Sequence, residues 1–431
     1  MGILRSERAA AVLLLAAAFL GLVLANTPAA ATVFAITHIE LGPVGTPWRL
    51  DLAHWVSEGL LAVFFLVAAI ELRHELTHGT LRSPARAIRP AIAAAGGVIA
   101  PIAIYLAITA GSGQEHGWPV PTATDIAFAL GVLAMFGRGL PAGLRAFLLA
   151  LAILDDIVGI IFIAVVFAHG VEWLPLLLAA VAVVAFGVLG ALLSRRRKGA
   201  DGEDEPLLPR WAAVLVVIAM IALAIVAWAA TVASGVHATI AGVALGLSLS
   251  PRPAHALRHG LEPVVNGAIL PVFAFAASLV TIPQVPASGL APAFWGIAIG
   301  LPVGKLVGIA GFTWIADRFL TRDPKRRMRF GDLATAGALG GIGFTVSLLM
   351  AHLAFANSAE LTAEATLAVL AGSAVSIIAA AILVTIRAAG YRRIRRLRER
   401  VLNARHRASV PGPSPSRPSR RSGPGRPRGR R

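Results

Sequence analysis

Ala146-Phe-Leu-Leu-Ala-Leu-Ala-Ile-Leu-Asp-Asp-Ile-Val-Gly-Ile-Ile-Phe-Ile-Ala-Val-Val-Phe167 is an apolar run long enough to cross a bilayer as a helix, and it carries two adjacent aspartates, Asp155 and Asp156, in its middle. Arg145 marks one end and His169 the other. At a rise of about 1.5 Å per residue the pair lies about 15 Å from Arg145, near the midplane of a hydrocarbon core roughly 30 Å thick. Burying a carboxylate there costs at least a few kcal/mol, which marks the pair as a site rather than a stability feature.

The rest of the chain fits that setting. Of 431 residues 57% are hydrophobic and 14% charged, where a soluble protein carries closer to about a quarter charged. Mean hydropathy is +0.76. Few aromatics and much Ala, Leu, Val and Gly point to helices packed through small residues, not to a β-barrel. No cysteine is present, which excludes disulfides, thiolate metal sites and cysteine nucleophiles. The fold class expected is an all-α polytopic membrane protein.

Apolar runs define about twelve spans: 9–26, 54–72, 88–110, 118–137, 146–168, 173–194, 211–232, 236–250, 264–281, 293–316, 331–353 and 362–387. The first follows Arg5 and Arg8 but lacks cleavage features, so it is read as a span rather than a signal peptide. Basic residues crowd every second connection, as in Arg195-Arg-Arg-Lys198 and Lys325-Arg-Arg327, and Arg49 is the exception on the other side. By the positive-inside rule both termini are cytoplasmic. Residues 1–390 form the expected transmembrane domain and 391–431 a basic cytoplasmic tail, disordered from about Ser409. Its arginines suit anionic lipid, not nucleic acid. The outer loop 27–52 contains Ile39-Glu-Leu-Gly-Pro-Val-Gly-Thr-Pro-Trp-Arg-Leu-Asp-Leu52, whose alternation about a Gly/Pro turn suggests a short β-hairpin, with an irregular loop as the alternative.

Four ionisable residues lie deep in spans: Asp125, Asp155, Asp156 and Lys305. The 39 basic residues include only three lysines, and Lys198 and Lys325 are in loops. Lys305, in Gly300-Leu-Pro-Val-Gly-Lys-Leu-Val-Gly308, therefore stands where arginine was available and not used. Unlike arginine, a buried lysine can release its proton, so Lys305 is either a proton carrier or a partner for an aspartate. Adjacent helical residues point about 100° apart, so Asp155 and Asp156 face different surroundings: one suits an ion, the other Lys305. The residues alone leave open which is which.

Asp125 lies in Val120-Pro-Thr-Ala-Thr-Asp-Ile-Ala-Phe-Ala-Leu-Gly131, where Pro121 removes a backbone donor and Thr122 and Thr124 can serve freed backbone groups. A second break is expected in Gly337-Ala-Leu-Gly-Gly-Ile-Gly-Phe-Thr345, with its four glycines. One broken span in each half of the chain points to a transporter with inverted-topology repeats, the broken helices crossing at the midplane. Carboxylate, hydroxyl and carbonyl oxygens suit a hard cation such as Na⁺. The same buried carboxyl can hold a proton or a small cation but not both, which is the simplest basis for exchange.

With these residues in view, the chain resembles the NhaA-type Na⁺/H⁺ antiporters. The resemblance rests on Ala123-Thr-Asp-Ile-Ala-Phe-Ala-Leu-Gly131, Leu149-Ala-Leu-Ala-Ile-Leu-Asp-Asp156, Ser234-Gly-Val-His-Ala-Thr239, Leu270-Pro-Val-Phe-Ala-Phe-Ala276, Gly304-Lys305 and Gly341-Ile-Gly-Phe-Thr345, and runs from about residue 7 to 390. It implies an electrogenic, pH-regulated exchanger of Na⁺ or Li⁺ for H⁺ in the bacterial cytoplasmic membrane, a transporter without cofactor or resident metal rather than an enzyme. It also implies Asp156 as the cation and proton site, Asp155 as partner of Lys305, and Thr124 and Asp125 at the helix crossing. Asp125 would compensate the helix N-terminal dipoles and Lys305 the C-terminal ones. The pH-sensing cluster maps onto Glu71, His74, Glu75 and Glu262. His74 departs from the family, which usually has a strongly basic residue there. His237 is read as either a packing or a pH-sensing residue, and the hairpin-like loop as a homodimer contact. The competing readings are a proton-coupled symporter of another solute, a cation channel and an intramembrane aspartyl protease. The last needs carboxylates converging from two helices, which the adjacent pair does not offer.

Overall fold

The computed structural model describes residues 7–168, 170–198, 204–320 and 327–409. It is built from helices: α1 (Glu7–Ala25), α2 (Ala30–Thr37), α3 (Leu52–His54), α4 (Leu61–Thr77), α5 (Pro84–Thr109), α6 (Ile126–Phe136), α7 (Ala142–Val165), α8 (Trp173–Ser194), α9 (Arg210–Ala233), α10 (Thr239–Ser248), α11 (Pro251–Val264), α12 (Leu270–Ala277), α13 (Pro292–Ile299), α14 (Lys305–Leu320), α15 (Phe330–Gly340), α16 (Phe344–Ala354) and α17 (Ala359–Ser409). Short π-helical turns at Trp55–Leu60, Val265–Ile269 and Gly300–Gly304 join α3 to α4, α11 to α12 and α13 to α14. The last contains Pro302, which cannot donate in a regular α-helical ladder.

A helix satisfies its own backbone polar groups, and the apolar runs are helical for that reason. Among the described residues ten helices are long and apolar enough to cross a membrane, eleven when the bent pair α15–α16 is one span. The expected span 236–250 is the ten-residue α10, about 15 Å long and short for a crossing by itself. The span expected at 264–281 begins earlier. α11 starts at Pro251 and continues through the π turn, so a stretch read as a loop is helical. Its Arg252, His255, Arg258 and His259 masked it in an apolar-run reading. The twelfth expected span also lengthens: α17 has 51 residues and carries the chain past 390 to Ser409, so the start of the expected tail is helix. Residues 410–431, where disorder was expected, lie outside the described residues, as do His169 and Lys325.

The outer loop does contain the hairpin. β1 (Glu40–Leu41) pairs antiparallel with β2 (Leu50–Asp51), Glu40 opposite Asp51. Arg49 bonds Glu40 across it at 2.6 Å, and Gly42 takes φ +130° in the turn. A second ribbon joins β3 (Arg196–Lys198) to β4 (Asp204–Pro206).

The bundle presents apolar side chains outward and encloses a small set of polar groups in an otherwise apolar core. Leu174 on α8, Ile225 on α9 and Phe319 on α14 are largely exposed, whereas Thr124, Asp125, Asp155 and Lys305 are buried. That polarity suits lipid surroundings. Small residues let backbones touch where the interior is built. A Cβ on Gly308 of α14 would meet the carbonyl of Gly96 on α5, and one on Gly304 would meet the Cα of Pro101 at 2.7 Å. A Cβ on Gly242 of α10 would strike the carbonyl of Ala62 on α4. The α5–α14 contact sets the rotation of α14 and so where Lys305 points. Gly308→Val is expected to cost about 1–3 kcal/mol through overpacking. The check is the thermal midpoint of the detergent-solubilised protein, which should fall; an unchanged midpoint would show that the two backbones are not in contact.

Candidate ion site at the crossing of two broken helices

The first break follows from its prolines. Val120–Thr122 forms one 3₁₀ turn, Ala123 is extended (φ −77°, ψ 154°), and α6 starts only at Ile126. The second break separates α15 from α16, which are bent by 49° about Gly341–Gly343. A Cβ on Gly343 would collide with Ser347 Oγ and with Leu301 at 2.6 Å, so glycine is needed for the approach.

The two breaks satisfy each other. Asp125 N donates to Ile342 O at 2.6 Å, and Thr124 Oγ1 donates to Gly340 O at 2.7 Å. The buried Asp125 carboxylate serves both helix starts. Its Oδ1 accepts from Phe128 N at 3.1 Å in the first turn of α6. Its Oδ2 accepts from Thr345 N at 3.3 Å and Thr345 Oγ1 at 2.7 Å in the first turn of α16. One negative charge thus caps two helix N-termini, whose positive dipole ends would otherwise repel.

α7 brings the aspartate pair alongside. Lys305 Nζ donates to Asp155 Oδ2 at 2.5 Å, and the two side chains are 0% and 2% exposed. Such a pair holds only as a pair, because removing one partner strands a buried charge at a cost of about 3–5 kcal/mol. Asp155 Oδ1 is buried without a hydrogen-bond partner among the described residues; the nearby Thr124 hydroxyl spends its proton on Gly340 O. Asp156, one residue on, is only half-buried and has neither ion pair nor hydrogen bond among the described residues. It faces a cavity.

That cavity has a volume of about 300 Å³. Thr124, Asp125, Asp156 and Thr345 line it at the crossing; Arg145, Glu71, Arg258 and Glu262 line it farther along. Arg145 and Asp156 are both on α7, about 16 Å apart along its axis, so the cavity is a funnel running from the crossing toward the arginine-rich end of the bundle. Its walls between are apolar, with Phe64, Leu130, Leu149 and Ile153.

The structure groups the remaining candidates differently from their sequence cluster. Glu71 and Glu262 meet at the funnel with Arg258, whose Nη2 donates to Glu71 Oε1 at 3.1 Å. His74 and Glu75 do not line the funnel. The His74 ring stacks on His78 at 5.6 Å and lines a separate cavity with Arg73, Arg252 and His255. Sequence reading placed Arg258 in a loop and so missed it. The helical spacing of Arg258 and Glu262, four apart in α11, was the available signal. His237 lies away from the funnel. Its Nδ1 is 2.9 Å from Glu58 Oε1, and Glu58 Oε2 accepts from Ala238 N at 2.7 Å. Glu58 drew no notice in the sequence.

Comparison with known proteins gives the chain's family. A family model described as Na⁺/H⁺ antiporter 1 matches residues 2–384. The chain is 53% identical over 397 residues to the Na(+)/H(+) antiporter NhaA 2 of Clavibacter michiganensis subsp. michiganensis, covering 91% of this chain and 93% of that protein. It is 43% identical to the Na(+)/H(+) antiporter NhaA of Tropheryma whipplei over 387 residues, 89% and 94% of the two chains. Against the Na(+)/H(+) antiporter NhaA of Thermobifida fusca it is 40% identical over 407 residues, 91% and 95%. A multi-pass membrane protein with two broken, crossing helices and an aspartate pair of which one member is paired with a lysine, this chain belongs to the Na⁺/H⁺ antiporter 1 family.

Proposed function

We propose that the protein exchanges Na⁺ or Li⁺ for protons across the bacterial cytoplasmic membrane by alternating access, with the two ions competing for Asp156. One observation carries this: of two adjacent carboxylates inside the bundle, Lys305 neutralises the buried Asp155 and leaves the half-buried Asp156 unpaired on a funnel that reaches the crossing. A carboxylate with water on one side and hydroxyl and carboxylate oxygens nearby is a hard-cation site. The candidate set is Asp156 with Thr124 and Asp125, which line the same cavity end. Proton or cation neutralises Asp156, and only the neutral carboxyl crosses a low-dielectric barrier at low cost. Movement of the broken helices as inverted repeats would expose the site to the other side.

Asp125 compensates the N-termini of α6 and α16 in this scheme, and Lys305 keeps the second carboxylate from competing for the cation. Release of a proton by Lys305 would make exchange electrogenic. Both termini lie on the cytoplasmic side, which places the funnel mouth at Glu71, Arg258 and Glu262 there. Glu71, His74, Glu75 and Glu262 are the candidate pH-sensing groups, with Arg258 added because it binds Glu71 directly. The β1–β2 hairpin is the candidate homodimer contact. A channel would favour a continuous path through the protein lined by rings of like residues. The funnel instead ends at a helix crossing.

The decisive measurement uses everted vesicles with a respiration-driven pH gradient and a pH-sensitive dye. Added Na⁺ or Li⁺ should dissipate the gradient, and Asp156→Asn should abolish the response; an unchanged response in that variant overturns the site assignment. Lys305→Arg keeps a cation beside Asp155 but titrates poorly. Antiport should then persist with less charge moved per cycle, while unchanged current would give Lys305 a purely structural part. For His74→Arg the pH profile of activity should differ, because an imidazole can titrate near neutrality and a guanidinium does not. Superimposable profiles would remove His74 from the sensing group.

A further inference from the structure

α17 does more than complete the bundle. Its Ser373 Oγ accepts from Phe344 N at 3.2 Å, at the start of α16 beside the second break. Fourteen residues on, about 21 Å along the helix, Arg387 reaches Asp332 in the first turn of α15. Arg387 Nε and Nη2 donate to Asp332 Oδ1 at 2.9 and 2.8 Å. Tyr391 OH donates to Asp332 Oδ2 at 2.6 Å. The Arg387 and Arg329 guanidinium carbons lie over the Tyr391 ring, 5.3 and 5.8 Å from its centroid. Gly331 lets Arg387 in, since a Cβ there would meet that side chain at 3.2 Å. One residue past Tyr391, Arg392 Nη1 donates to Arg138 O at 2.6 Å, just beyond the C-terminus of α6, and its stem lies against Gly139, where φ is +103°. Arg8 of α1 donates to Ala134 O in the last turn of the same helix.

These contacts share a purpose. α6 and α15 are the half-helices that run from the crossing to the arginine-rich end. Each joins the crossing through non-helical backbone, so no continuous hydrogen-bond ladder sets its tilt. Something outside them must hold their far ends. Asp332 is 7% exposed and accepts three hydrogen bonds, two from a guanidinium, a geometry that specifies position closely. Its charge suits the N-terminus of α15, and the arginines on Arg138 O and Ala134 O suit the C-terminal end of α6.

We propose that Arg387, Tyr391 and Arg392 are positioning residues for antiport: from the cytoplasmic extension of α17 they hold the outer ends of α6 and α15, and thereby set the spacing of Thr124, Asp125 and Asp156 at the crossing. This rests on the crossing being the transport site. None of the three residues touches the ion. The extension starts at the last residue of the span expected from the sequence, so the chain from residue 387 onward takes part in transport as a splint rather than as a tail.

The test is dye-based antiport in everted vesicles, with apparent KM for Na⁺ and the pH profile normalised to the amount of protein in the membrane. Asp332→Asn, Arg387→Ala and truncation after Gly390 should each raise apparent KM roughly fivefold or more and displace the pH profile, a coupling of ordinary size between a remote element and a site. Asp332→Asn combined with Arg387→Ala should be no worse than either alone, and Arg387→Lys should recover part of the effect. Truncation after Ser409 should leave both readouts unchanged. Where Arg387→Ala fails to reach the membrane, Tyr391→Phe, which deletes one hydroxyl, carries the test. Normal KM and pH profile in Asp332→Asn and Tyr391→Phe would overturn the proposal, as would equal effects from the two truncations. Failure of the site reading is distinguishable, because it requires normal antiport in Asp156→Asn.

Discussion

An N–H or C=O left without a partner in hydrocarbon costs several kcal/mol, so a transmembrane helix can be interrupted only where something answers the freed groups. Here each interruption answers the other. Asp125 N and the Thr124 hydroxyl take the carbonyls of Ile342 and Gly340, and the Asp125 carboxylate takes amides at the start of both α6 and α16. The rest of the interior is arranged around that exchange. Gly343, where a Cβ would crowd the Ala123 carbonyl at 3.1 Å, allows the approach, α7 lies beside it, and α17 braces it from the break to the arginine-rich end.

Charge follows from the same constraint. The centre of the bundle holds three carboxylates and one ammonium, which would not be tolerated as free charges. Asp125 is held by two helix N-termini and Asp155 by Lys305. Asp156 is left unpaired on the funnel. A site whose neighbours are fully compensated is one where a single small ion changes the local charge, and that is what competition between Na⁺ and H⁺ needs. The same economy appears at the funnel mouth, where Arg258 holds Glu71 while Glu262 stays on the cavity.

Much of this was legible in the residues. A charged side chain inside an apolar run stands out because its burial is costly, so Asp125, Asp155, Asp156 and Lys305 announced themselves, as did the proline and glycine breaks. The alternation about Gly42 and Gly45 suggested a hairpin in 27–52 but left an irregular loop open. Features that join polar residues to distant partners were not. Arg258 and Glu58 look like ordinary loop or helix residues until Glu71 and His237 are found beside them. α11 escaped because its basic face breaks the apolar run, and the α17 extension because its arginines read as tail. The family resemblance grouped His74 with Glu71, yet in the structure His74 lines another cavity.

The amino-acid sequence by itself determined the class, the order of the spans, the places where they break and the short inventory of groups able to do chemistry, because each of these follows from local transfer costs and backbone rules. It also determined that Asp155 and Asp156 must differ, since neighbours on a helix point about 100° apart. Only the tertiary structure decided which of them meets Lys305. That depends on the absolute rotation of α7 and α14, which is set by close contacts between residues far apart in the chain, such as Gly308 against Gly96. Local periodicity carries no information about such a rotation.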